Sequence, residues 1–89
     1  MSFEYDPAKS AANKDKHGID FDAAQALWLD DDLAELISTA NVLQEVRYLA
    51  IGCIEGRHWT AIFARRGAAI RIISVRRARK EEVRYYESK

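Results

Sequence analysis

Chemistry on phosphate needs cations, and this chain gathers them. Arg47, Arg65, Arg66, Arg71, Arg76, Arg77 and Arg79 lie within or beside apolar segments. RIISVRRARKEE, residues 71–82, holds five basic side chains. The guanidinium group is planar, always charged and matched to bidentate contact with phosphate oxygens. Lys14, His17, His58, Tyr85 and Tyr86 are side chains able to take or give a proton near such a field. These residue types suit a cleavage in which a ribose 2′-OH attacks the adjacent phosphate. One group takes the 2′ proton, a second protonates the leaving oxygen, and arginine stabilises the added charge on phosphorus. Each proton-transfer candidate also has a plainer role. His17 suits a helix C-terminus, where its charged form is favoured. His58 reads as an exposed strand residue after a turn, and Tyr85 and Tyr86 as rim and core of a last helix.

Other chemistries lack their residues. There is no GxxxxGK or GxGxxG stretch, neither histidine has a partner at metal-ligand spacing, and no Ser/His/Asp set stands out. Asp30, Asp31 and Asp32 read as a solvated acidic loop rather than a magnesium site. Cys53 is the one cysteine and sits in YLAIGCI, where a small buried hydrophobe is the expected role. No metal and no cofactor is expected.

Local signals place the candidates on elements. Asp6 before Pro7 is a helix start, and Gly18 supplies a left-handed stop, so a helix is predicted from Pro7 to about His17. IDFDAAQALWLD predicts a second helix capped by Asp20. Its apolar face is Phe21, Ala24, Leu27 and Trp28, with Ile19 packing inward. LAELIST, EVRYLAIGCIE, RHWTAIFARR and AAIRIISV read as strands. Glu55-Gly56 and Gly67 turn the last three into an antiparallel meander. RRARKEEVRYYESK predicts a weakly amphipathic helix with Ala78, Val83 and Tyr86 inward. The fold class is therefore α+β: two N-terminal helices on a four- or five-stranded antiparallel sheet, then a C-terminal helix. In such a meander Arg47, Arg65 or Arg66, and Arg71 gather at one end of the sheet. Arg76 to Lys80 extend the field.

The chain has 89 residues, 48% of them hydrophobic and 31% charged, which fits one globular domain over 1–89 with a small core and a surface site. No signal peptide opens it and no apolar run reaches membrane-spanning length, so a soluble, cytoplasmic protein is expected. The formal net charge of zero conceals a polarity. Residues 1–46 carry three lysines against ten acids, and residues 47–89 carry eleven basic residues against four acids. All nine arginines lie at or beyond Arg47. Such asymmetry points to a polyanion or an acidic protein as partner of the basic half, unless the two halves fold together and neutralise each other.

FEYDPAKSAANKDKHGIDFDAA resembles the N-terminus of the BrnT toxin family. Phe3-Glu4-Tyr5-Asp6 matches F-E-W-D, Lys9, Asn13 and Lys16-His17-Gly18 match K-x-x-x-N-x-x-K-H-G, and Phe21 to Ala24 match F-E-E-A. EVRYLAIG resembles E-x-R-x-x-x-I-G through Glu45, Arg47, Ile51 and Gly52. RIISVRRARKEEVRYYE resembles R-I-I-S-A-R-x-A with a later E and Y-E, through Arg71 to Ala78, Glu82, Tyr86 and Glu87. Tyr5 replaces the family's tryptophan. Arg79 stands where threonine is usual, which takes away the side-chain acceptor of a capping box with Glu82.

The resemblance implies a RelE-like fold and the toxin of a type II toxin–antitoxin system: a metal-independent endoribonuclease that halts translation. It implies a ribbon-helix-helix (BrnA-like) antitoxin as partner, operator DNA bound through that antitoxin, autorepression of the operon, and an assembly such as a toxin–antitoxin heterotetramer. The site assignments are Arg47, Arg71, Arg76, His17 and Tyr86 as catalytic, and Lys14, Arg65, Arg66, Arg77, Arg79 and Lys80 as RNA-binding. The competing readings are a non-catalytic module that grips nucleic acid or an acidic protein, and a plain interaction protein whose arginines pair with local acids.

Overall fold

The computed structural model describes residues 1–38 and 45–88. Strand β1 (Ser2–Glu4) leads into helix α1 (Pro7–His17) and then α2 (Phe21–Ala24), which continues as a 3-10 turn, Gln25–Leu29. Strands β2 (Ala34–Ile37), β3 (Tyr48–Ile54), β4 (Arg57–Arg66) and β5 (Ala69–Arg77) follow, and α3 (Lys80–Glu87) closes the chain. Residues 39–44, including the end of the predicted LAELIST strand, lie outside the described residues.

The local signals act as read. The Asp6 carboxylate accepts the Ala8 N–H at 2.9 Å, and Gly18 ends α1 at φ 84° with its N–H bonded to Lys14 O. Asp20 caps α2 by accepting the Ala23 N–H at 2.8 Å. Glu55 and Gly56 have φ of 51° and 81°, the paired positive values of a type I′ hairpin turn. The second helix differs from expectation. One α-turn passes into 3-10 geometry, because the buried side chains Phe21, Ala24 and Leu27 recur every three residues. A 3-10 winding eclipses that spacing, whereas an α-helix rotates it off the core.

Among the described residues the sheet has five strands in the order β1-β5-β4-β3-β2. It is mixed rather than antiparallel throughout: β1 pairs with β5 in parallel, Phe3 opposite Ile70 and Glu4 opposite Arg71. A parallel pair needs a long connection, and here the whole intervening chain supplies it. Alternation then sorts the strands into two faces. Ala50, Trp59, Ala61, Phe63, Ile70, Ile72 and Val75 point toward α1, α2 and the 3-10 turn, and with Ile19, Phe21, Ala24 and Leu27 they form the core. Phe63 sits at its centre, edge-on to Trp28 and stacked on Tyr48. The opposite face carries Ile51, Thr60 and Ala64, all fully buried, with Arg66 and Arg71 at one end, and α3 packs over the Thr60 end. Cys53, expected to be buried, is half-buried on this second face.

β5 departs from strict alternation. Ile62 pairs with Ser74 and Phe63 with Ile72, so Ile73 is an extra residue, a β-bulge. Two residues on, Val75 meets no strand on the outer side among the described residues, since β1 ends at Glu4, opposite Arg71. Asn13 of α1 takes that place. Its amide donates to Val75 O at 2.9 Å and to Ile19 O at 2.7 Å, and its carbonyl accepts the Val75 N–H at 3.2 Å. Asn13 is 7% exposed, so these groups have little access to water. Asn13→Ala should therefore cost about 3 kcal/mol through buried groups left unpaired, read as a lower urea midpoint. A change under about 0.5 kcal/mol, the range of ordinary surface substitutions, would contradict this role.

Candidate nucleic-acid interface

The bulge decides where the arginines point. Arg71 and Arg76 are five residues apart, an odd separation that puts side chains on opposite faces of a regular strand. The extra residue at Ile73 restores the phase. Arg71 lies opposite Ala64 and Arg76 opposite Thr60, both on the face away from the core. Arg66, opposite Ala69, shares that face. Arg71 and Arg76 are then separated along the sheet by four strand steps, roughly 13 Å.

The two ends of this face differ in chemistry. At the α3 end, the Arg76 guanidinium donates to both oxygens of Glu82, at 2.8 and 2.9 Å. Oε1 of Glu82 also accepts from the Thr60 hydroxyl at 2.9 Å and the Arg79 backbone N–H at 2.8 Å. The Arg79 contact is the half of a capping box that needs no side-chain acceptor. The hydrogen bonds from Arg76 dominate and hold the Glu82 carboxyl down at about 2, against a smaller opposing effect of burial. At the other end, Glu4 of β1 stands between Arg71, 3.5 Å away, and Arg66, 3.9 Å away. Glu45 meets Arg66 with two longer hydrogen bonds of 3.2 and 3.3 Å.

The single cationic field expected from the sequence is divided. Arg65 and Arg77 fall on the helix-covered face. Arg65 pairs with Glu35 and lies over the rings of Tyr48 and Phe63, and Arg77 lies over Trp59. Lys14 lines a groove between α1 and α2 with Tyr5, Asp15, Asp20 and Asp22, on that same side of the sheet. His17 ends α1 beside Asn13, Ile73 and Ser74, at the outer edge of β5. Arg47 immediately precedes β3, and its carbonyl accepts the Ser38 N–H at 2.8 Å. Arg79 and Lys80 are exposed at the start of α3, next to the Arg76 end of the open face.

Tyr86 reaches from α3 to donate its hydroxyl proton to Asp30 at 2.6 Å, with the His58 ring edge-on at 5.3 Å. The Asp30 hydrogen bond, then burial, raises the Tyr86 hydroxyl well above its ordinary value, so the phenol keeps its proton. Asp30 is thus more than part of a solvated run: its carboxylate also accepts the Cys53 and Asp32 backbone N–H groups. Tyr85 is largely exposed. Among the described residues, no group of three His, Cys, Asp or Glu side chains is placed to hold a metal ion.

Sequence reasoning missed the acids. Glu4, Glu35 and Glu45 all come from the acidic half and pair with Arg71, Arg65 and Arg66 of the basic half. The two halves therefore do neutralise each other in part. The signal for Glu82 was its position three residues after Arg79, and nothing local tied it to Arg76.

Fold and site together define a class: a small α+β domain that holds arginines from neighbouring strands on one open sheet face. The model of a protein family described as the ribonuclease toxin, BrnT, of type II toxin–antitoxin systems matches residues 5–82. The chain belongs to that family. No curated protein matches it. Among the described residues, no helix is long and apolar enough to cross a membrane.

Proposed function

We propose that this chain is an endoribonuclease that cuts RNA without a metal ion, acts in the cytoplasm and inhibits translation. In this reading the fold is RelE-like. A ribbon-helix-helix antitoxin silences the toxin by covering the arginine face, and the pair, as a heterotetramer, represses its own operon. The observation that carries the reading is the bulge at Ile73, which sets Arg71 and Arg76 on the same open face as Arg66. A phosphodiester laid along that face meets guanidinium groups where negative charge grows during attack by the 2′-OH. Arg71 is the proposed stabiliser of that charge. Arg76, four strand steps away and held by Glu82, meets a phosphate further along the strand, and Arg47, Arg66, Arg79 and Lys80 hold flanking phosphates. His17, from the outer edge of β5, is the proposed base. Tyr86, which keeps its proton, acts only as a donor. Lys14, Arg65 and Arg77 lie on the other side and contact RNA only where a longer strand wraps the sheet.

A second reading, a non-catalytic binding module, is favoured by one observation: the Tyr86 hydroxyl is already committed to Asp30. Induced expression in bacteria separates the two. The ribonuclease reading expects growth arrest with fragmented RNA. Arrest with intact RNA would favour the binding module, and normal growth at high soluble levels would refute the ribonuclease reading.

A further inference from the structure

The acids on the open face are of two kinds. Glu82 is 9% exposed and makes four short contacts, so it belongs to the fold. Glu4 is different. Its side chain is 42% exposed, and both its arginine partners stand at long range, 3.5 and 3.9 Å. An exposed pair held this loosely adds little to stability. Yet one Glu4 carboxylate oxygen stands between the guanidinium groups of Arg66 and Arg71, at 3.9 and 3.5 Å. A carboxylate there fills the position that a phosphate oxygen would take between two arginines.

Building on the proposed RNA-binding role of this face, we infer that Glu4 is an internal competitor: its carboxylate occupies a phosphate seat formed by Arg66 and Arg71 and sets how tightly that seat takes a nucleic-acid phosphate. The exchange is a substitution of one anion for another. A phosphodiester entering the seat displaces the carboxylate toward solvent, where its exposure lets it go without burying charge. Arg66 keeps its bonds to Glu45 meanwhile, so its guanidinium stays in place. The close counter-ion of Arg76, Glu82, is instead bound into the α3 start. The seat at the Glu4 end is therefore the adjustable one, and affinity for single-stranded RNA is limited there.

The test is binding of a fluorescent single-stranded 2′-O-methyl oligonucleotide of about eight nucleotides, within the span one small domain covers. The 2′-O-methyl group blocks attack on the phosphate, so binding is read apart from cleavage. Glu4→Gln keeps the size and the backbone pairing of β1 and removes only the charge. It should bind about five- to tenfold more tightly at low salt, with a log Kd against log salt slope steeper by about 0.7 for each extra phosphate neutralised. Glu35→Gln makes the same change of net charge on the opposite face and should alter affinity less than about twofold, as expected of a remote, screened charge. Equal effects of the two substitutions would overturn the seat while leaving RNA binding by the face intact. No binding by the wild type or either variant would overturn the RNA-binding reading and the seat with it. Should Glu4→Gln fail to melt cooperatively, Glu4→Thr decides. It also removes the charge, with a residue that suits a strand, and should also tighten binding, and an unchanged Kd there counts against the seat.

Discussion

Arg71→Ala is expected to abolish growth arrest and to slow RNA cleavage by about a hundredfold or more, the loss usual for removing one donor to a developing charge. The melt should stay cooperative and shift little. Among the described residues Arg71 is held by the long contact to Glu4, and the aliphatic side chains beside it in the strand, Ile70 and Ile72, do the packing. An exposed ion pair of that kind contributes about 0–1 kcal/mol. Lysine at this position retains charge but loses the fork that meets two phosphate oxygens, so Arg71→Lys should fall between the two. Growth curves, RNA gels and thermal melts on the same three proteins check this. A toxic Arg71→Ala variant would move the site elsewhere, and an unfolded one would make Arg71 a structural ion-pair member.

Arg76 is expected to behave differently, although it shares the face. Arg76→Ala leaves the Glu82 carboxylate almost enclosed with its bidentate partner gone. The cost should be about 3 kcal/mol, a fall of about 15 °C in Tm for a domain of this size. Loss of toxicity in that variant would not by itself assign Arg76 to the chemistry. The same ion pair gives the wild type an acid limb. The folded protein keeps Glu82 ionised down to about pH 2, whereas the unfolded chain takes up the proton at the ordinary value near 4.5. Stability from this group is complete above about pH 4.5 and is lost as pH falls toward 2. It amounts to about 2 kcal/mol after allowing for solvent at this end of the sheet. Urea melts across that range should show the decline in the wild type and a much flatter profile in Glu82→Gln. Parallel profiles would mean that other carboxylates carry the acid sensitivity.

Much of the fold was legible because it rests on local signals. Asp6-Pro7, Gly18, Asp20 and Glu55-Gly56 each act on their immediate neighbours, so residue type alone placed helix ends and the hairpin. The spacing of Phe21, Ala24, Leu27 and Trp28 marked the buried side of the second helix, but that spacing reads as an α-helical face, and the 3-10 winding was not foreseen. The parallel pairing of β1 with β5 was not legible, since nothing near Phe3 specifies a partner so far along the chain. The site divided along the same line. Arg65 and Arg66 are adjacent in a strand and must face opposite ways, a signal present in the sequence. That Arg71 and Arg76 share a face depends on one extra residue at Ile73, which the apolar run RIIS does not distinguish from regular strand. The acids Glu4 and Glu45 reach their arginines through strand pairing, and only the folded chain brings them there.

Asn13 has a meaning beyond its hydrogen bonds. A bare length of strand is a template on which another extended chain can polymerise. By presenting to Val75 the donor and acceptor that an adjoining strand would present, the side chain ends the sheet from within a helix. Growth by added strands is then confined to two flanks, β1 with three residues and β2 with four. Both are too brief to seed an ordered stack. Loss of that amide would uncover this stretch of β5, and is expected to surface as self-association at high concentration as well as in the melt of the isolated chain.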